Sequence, residues 1–134
     1  MTSTVTYTGE LRTVCVHLKS NNEFITDAPT DNNGLGQAFS PTDTVATALA
    51  SCMLTVMGIK AKTLEVELTN SVASVTKHMV SDPRRISKIE VILDLPATVT
   101  EKHKIILERT ANTCPVLMSI HPDIVKEITF NWSR

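Results

Sequence analysis

The longest apolar stretch of the chain runs from Thr44 to Ile59, sixteen residues between Asp43 and Lys60, interrupted by hydroxyls at Thr47, Ser51 and Thr55. A membrane span takes about 18 or more predominantly apolar residues, so this stretch predicts a buried core helix. Its start is written in Ser40-Pro41-Thr42-Asp43. Ser40 suits the N-cap, Pro41 the first helical position, and Asp43 the place where an acid completes a capping box and meets the positive helix end. The predicted helix continues to Lys62, a span of about 33 Å at 1.5 Å per residue. Val45, Leu49, Cys52, Met53 and Val56 form one stripe, and Ala46, Ala48, Ala50, Leu54, Met57, Ile59 and Ala61 make most of the remaining surface apolar or small. A helix apolar nearly all round is buried on all sides. One domain of this length hardly encloses such a helix alone, which predicts that a second copy of the chain completes the burial.

Strand patterning and two shorter helices occupy the rest. In the first 27 residues, Val14 and Val16 alternate with Thr13, Cys15 and His17, and Glu23–Thr26 is a second β-like run. Arg12 shares the parity of Val14 and Val16, so it points inward if they do, unless it lies beyond the edge of the sheet. Ala28–Gly36 is a loop rich in turn residues. Glu65–Leu68 alternates as a strand continuing towards His78, and Ser81-Asp82-Pro83 is a turn. Ile89, Val91, Leu93 and Leu95 then alternate with polar partners as a half-buried strand. A second helix is expected from Thr100 to Asn112, and a third from Cys114-Pro115 through Ile120. His121-Pro122-Asp123 breaks the chain, and Ile124, Ile128, Phe130 and Trp132 have strand parity, with Lys126 pointing inward. Strand groups separated by a long helix, without βαβ alternation, predict an α+β fold with antiparallel sheets. No repeat, linker or low-complexity tract divides it, so residues 1–134 are expected to form one domain.

Composition narrows the function classes. With 13 Lys+Arg against 14 Asp+Glu and 4% aromatics, the chain lacks the basic footprint and stacking platforms of a nucleic-acid binder. At 14.7 kDa roughly two-thirds of the surface is buried on folding, enough for a core without metals or disulfides. The three cysteines, Cys15, Cys52 and Cys114, contain no CxxC pair. The segment Met1–Gly9 has no basic region followed by an apolar run, so the expected compartment is a reducing cytoplasm with free thiols.

Cys52 and Cys114 are the informative residues. Each reads either as a small apolar core residue or as a reactive thiol. Cys114, at the start of a helix, sits near free backbone N–H groups that lower a thiol pKa. Cys52, mid-helix, has no such help and would need a cation, for which Arg12 is the inward-parity candidate. Other signals read plainly. Cys15 and His17 have metal-ligand spacing, but a closed site takes four ligands. Gly34-Leu35-Gly36 lacks the strand–turn–helix setting of a phosphate loop.

The run Gly36-Gln-Ala-Phe-Ser-Pro-Thr-Asp-Thr-Val-Ala-Thr-Ala-Leu-Ala-Ser-Cys52-Met-Leu-Thr-Val-Met-Gly58, followed later by Asn112-Thr-Cys114-Pro-Val116, resembles the OsmC/Ohr family over nearly the whole chain. The resemblance implies an intertwined homodimer, with sheets wrapped around long central helices and two active sites at the subunit interface. It implies a thiol-dependent peroxidase acting on organic and possible inorganic hydroperoxides, without metal, haem or flavin. Cys52 is then the peroxidatic cysteine and Cys114 the resolving one, joined in a Cys52–Cys114 disulfide that a dithiol reductant reopens. Arg12, in Glu10-Leu-Arg12-Thr, matches the region of the family's active-site arginine. The organic-hydroperoxide members hold that arginine with a Glu early in the long helix. Here the position is Thr42, followed by Asp43, which either replaces that Glu or only caps the helix. The alternative reading is a non-catalytic OsmC-like dimer that binds a small apolar ligand at its interface, with the cysteines as core. Neither reading involves nucleic acid or a membrane, and neither gives Cys15 a role.

Overall fold

The computed structural model describes residues 1–134. They form two compact units, 1–45 and 46–134, and the boundary falls near the start of the long helix.

In the first unit, strands β1 (Ser3–Gly9), β2 (Arg12–His17) and β3 (Glu23–Asp27) make an antiparallel sheet in that order. The β1–β2 turn places Glu10 and Leu11 both in the left-handed region, at φ 54° and 61°. That is the primed hairpin geometry, held here without a glycine at either position. It sets Arg12 as the first residue of β2, directly opposite Asp27 at the end of β3. The loop after β3 folds back on itself. Gly34 lies so close to Ala28 that a Cβ would stand 1.7 Å from the Ala28 carbonyl oxygen, so no other residue fits. The Gly34 N–H donates to Pro29 O, the Gly36 N–H donates to Ala28 O, and the chain returns to let the Asp27 N–H donate to Phe39 O at 3.0 Å.

The long helix α1 covers Pro41–Leu64, two residues longer than the sequence predicts. Its capping box is reciprocal: the Asp43 N–H donates to Ser40 Oγ at 3.0 Å, and the Ser40 N–H donates to Asp43 Oδ2 at 2.9 Å. In the second unit, α1 is followed by β4 (Val72–Val80), β5 (Arg85–Leu95), α2 (Glu101–Ala111), α3 (Pro115–Ser119) and β6 (Val125–Trp132). Alternation in β5 sends Ile89, Val91, Leu93 and Leu95 to one face, where they form the core with Ala46, Leu49, Ala50, Met53, Met57 and Ala61 of α1. Each larger side chain so buried contributes roughly 1.5–3 kcal/mol. The buried stripe is therefore rotated from the predicted one: Cys52 and Val56 are half-buried, while Val45 and Ile59 are exposed. By length and hydropathy α1 is apolar enough to cross a membrane, and 33% of its most apolar window is buried inside the chain.

Two expectations are corrected. Glu65–Leu68 is not a strand: Glu65 and Asn70 take left-handed backbone, and the Val66 N–H donates back to Ala61 O. The alternation of Val66 and Leu68 instead reflects an irregular segment packed on the core. The second sheet is not wholly antiparallel. β4 pairs β5 antiparallel, but β5 pairs β6 parallel. The connection between them runs through α2 and α3, the crossover length that parallel pairing requires. The inward Lys126 is satisfied by donating from Nζ to His121 O at 3.0 Å.

Candidate functional site

Within the second unit, two cysteines far apart in sequence act on each other. Cys52 projects from the middle of α1, half-buried and packed against the core. Cys114 is the N-cap of α3, with Pro115 opening the helix, and its Sγ accepts the Leu117 N–H at 3.4 Å. It is fully buried. The position at a helix start, taken alone, acidifies Cys114. The structure reverses that expectation, because burial pushes the Cys114 thiol up and outweighs the Leu117 and Val116 N–H groups. A side-chain hydrogen bond and the charge of Cys52 push it further in the same direction. Cys114 is thus a thiol that keeps its proton beside Cys52. All three cysteines are free.

The first unit holds Arg12 in a tight frame. Its Nε donates to Asp27 Oδ1 at 2.7 Å, and Nη2 donates to Asp27 Oδ2 at 2.9 Å and to Gln37 Oε1 at 3.1 Å. The Gln37 backbone N–H donates to Asp27 Oδ2 at 3.0 Å. Asp27 is 1% exposed, whereas the Arg12 side chain is 30% exposed. The guanidinium hydrogen bond is the main cause that lowers the Asp27 pKa; burial opposes it and the Gln37 N–H adds to it. The same hydrogen bond raises Arg12. Arg12 lines a cavity of about 350 Å³ together with Thr8, Gly9, Glu10 and Leu35. Cys15 lies elsewhere on this sheet, between Val5 and Phe24, and lines an apolar cavity of about 620 Å³. His17 Nδ1 is engaged with Ser20 Oγ at 2.6 Å.

Asp27 and Gln37 were not legible as site residues. Arg12 and Asp27 are brought together by the β2–β3 register, and nothing local in the sequence states that register.

A pH dependence follows from the depressed Asp27 carboxyl. Its contribution to stability is present above the unfolded carboxylate pKa of about 3.9 and is lost as pH falls through the lower folded value. Urea melts of the wild-type chain and Asp27→Asn are expected to differ by a constant amount above about pH 5, with the gap shrinking below about pH 4. A gap independent of pH down to the acid limit contradicts the assignment.

The chain matches the family model of OsmC-like protein over residues 34–129. It is 52% identical to a protein from Psychrobacter arcticus 273-4 whose name ties it to osmotic stress and detoxification response, with a TM-score of 0.95 over 98% of this chain and 96% of that one. An organic hydroperoxide resistance protein OsmC from Legionella pneumophila shares the fold at 13% identity and a TM-score of 0.76, covering 98% and 97% of the two chains. An organic hydroperoxide resistance protein from Elizabethkingia anophelis shares it at 16% identity and a TM-score of 0.75, covering 98% and 96%. No curated protein sequence matches the chain.

Proposed function

Because this chain belongs to the OsmC-like protein family, we propose that it reduces organic hydroperoxides with a pair of cysteines. The observation that carries the reading is the adjacency of Cys52 and a buried Cys114, whose thiol burial pushes up. The Cys52 thiolate attacks the distal peroxide oxygen. An S–O bond forms, the O–O bond breaks, and the departing alkoxide takes a proton from solvent and leaves as the alcohol, so that Cys52 becomes a sulfenic acid. The Cys114 thiol then displaces the sulfenic oxygen as water and a Cys52–Cys114 disulfide forms. A dithiol reductant returns two electrons and two protons and is itself oxidised to a disulfide. Burial helps in the second step: a Cys114 that keeps its proton does not compete for the peroxide, yet brings the proton that water formation needs. Arg12 is assigned to hold the thiolate and polarise the peroxide, a role for which a fixed planar fork of donors is suited.

The working unit in this reading is a homodimer in the cytoplasm. Val45 and Ile59 leave apolar surface of α1 uncovered, and Val5, Tyr7, Phe24 and Phe39 are exposed as well. In this reading a second copy of the chain covers these exposed apolar side chains. The test is thiol counting after one equivalent of cumene hydroperoxide, paired with sedimentation at micromolar concentration. A dimer that loses two thiols per chain without a covalent link between chains is the expected result. A dimer that loses none favours an apolar-ligand binder instead.

A further inference from the structure

We propose that Asp27, with Gln37, is the positioning residue that holds Arg12 for peroxide reduction. The inference rests on the peroxidase reading and adds to it the anchor of its arginine.

The geometry carries it. A guanidinium has five N–H donors. Asp27 takes Nε and one Nη2 hydrogen in a two-point fork, and Gln37 Oε1 takes the other Nη2 hydrogen. Rotation about the last side-chain bonds would break all three contacts together. The contacts that hold the group run through Nε and Nη2, and the side chain is 30% exposed, which suits the Nη1 edge to an anion or a peroxide oxygen. Asp27 is itself immobile: it is fully buried, and its Oδ2 also accepts the Gln37 N–H.

The surrounding backbone is built to this end. The β1–β2 turn keeps two non-glycine residues in the left-handed region immediately before Arg12. Such conformations cost of order 1 kcal/mol or more and persist where the surroundings impose them. The Ala28 N–H ties β3 to that turn by donating to Leu11 O at 3.0 Å. The tight approach of Gly34 to Ala28 closes the loop that returns Gln37 to Asp27. Asp27 and Gln37 both accept from the Arg12 guanidinium, while Asp43 accepts the Ser40 N–H at the start of α1.

The test compares Arg12→Ala, Asp27→Asn, the double variant and Gln37→Ala. The readouts are kcat/KM for cumene hydroperoxide and the rate of Cys52 alkylation at neutral pH, the latter in a Cys15→Ser, Cys114→Ser background. Asp27→Asn is expected to lower kcat/KM about tenfold and to slow Cys52 alkylation, because an unheld guanidinium spends less time in place. If Asp27 only tempered the charge of Arg12, its neutralisation would speed alkylation; that result overturns the proposal. The double variant is expected to be no slower than Arg12→Ala alone, since Asp27 acts through Arg12. Additive losses overturn it. Gln37 is exposed, so Gln37→Ala leaves the fold intact and is expected to give a smaller loss of about two- to threefold. It keeps the measurement decisive if Asp27→Asn folds poorly: an unchanged rate in Gln37→Ala then counts against the frame. Should Arg12→Ala itself leave both readouts unchanged, the role of Arg12 fails and the positioning role falls with it. A slow Arg12→Ala beside a normal Asp27→Asn rejects Asp27 alone.

Discussion

Cys52→Ser is expected to abolish turnover of cumene hydroperoxide, whereas Cys114→Ser is expected to consume about one peroxide per chain and stop at the sulfenic acid. The difference follows from the two environments. Cys114 is sealed in the core of the second unit, where burial pushes its thiol up. The thiolate is the nucleophile, so the sealed, protonated thiol is poorly placed for first attack. Cys52 is half-buried and lies beside it. Without Cys52 no S–O bond forms. Without Cys114 the S–O bond forms once, and the thiol that lies beside Cys52 to expel the oxygen as water is gone. A dimedone trap should label Cys52 in Cys114→Ser after a single addition of peroxide. Equal single-turnover loss in both variants overturns the order of attack.

The second large effect concerns Arg12. Removing one preorganised charged donor at a reacting oxygen costs about 10²-fold in rate or more, and Arg12→Ala is expected to slow peroxide reduction by that amount. Arg12→Lys should fall between. It keeps the charge, but an ammonium cannot reproduce the fork that Asp27 and Gln37 hold. Alkylation of Cys52 in the Cys15→Ser, Cys114→Ser background should slow in parallel, with dimer and secondary structure unchanged. If Cys52 reacts as fast in Arg12→Ala as in the parent, another cation, such as Arg84 or Arg85, serves the thiolate.

What was legible in the sequence was local. The start of α1 could be read because Ser40, Pro41 and Asp43 meet their partners within one turn. The same holds for Cys114 and Pro115 at the start of α3. The inward Lys126 was legible by parity, though its acceptor at His121 O was not. What was not legible depends on distant chain. A helix end at Cys114 is visible in sequence and its full burial is not, so the sequence alone points to an acidic thiol where the structure has a raised one. Glu65–Leu68 has strand alternation, but left-handed backbone at Glu65 and Asn70 overrides it. The parallel pairing of β6 is a property of the crossover through α2 and α3, not of either strand. The family resemblance left open whether Asp43, early in the long helix, holds Arg12 or only caps the helix. A carboxylate that does meet Arg12 is Asp27 on the neighbouring strand, set there by register.

The most direct test of the cysteine mechanism is peptide mapping by mass spectrometry, after one equivalent of cumene hydroperoxide and alkylation of the remaining thiols. The expected result is a single intrachain link between the peptides carrying Cys52 and Cys114, with Cys15 recovered in its alkylated form. A link through Cys15, a link between chains, or full recovery of all three alkylated cysteines contradicts it.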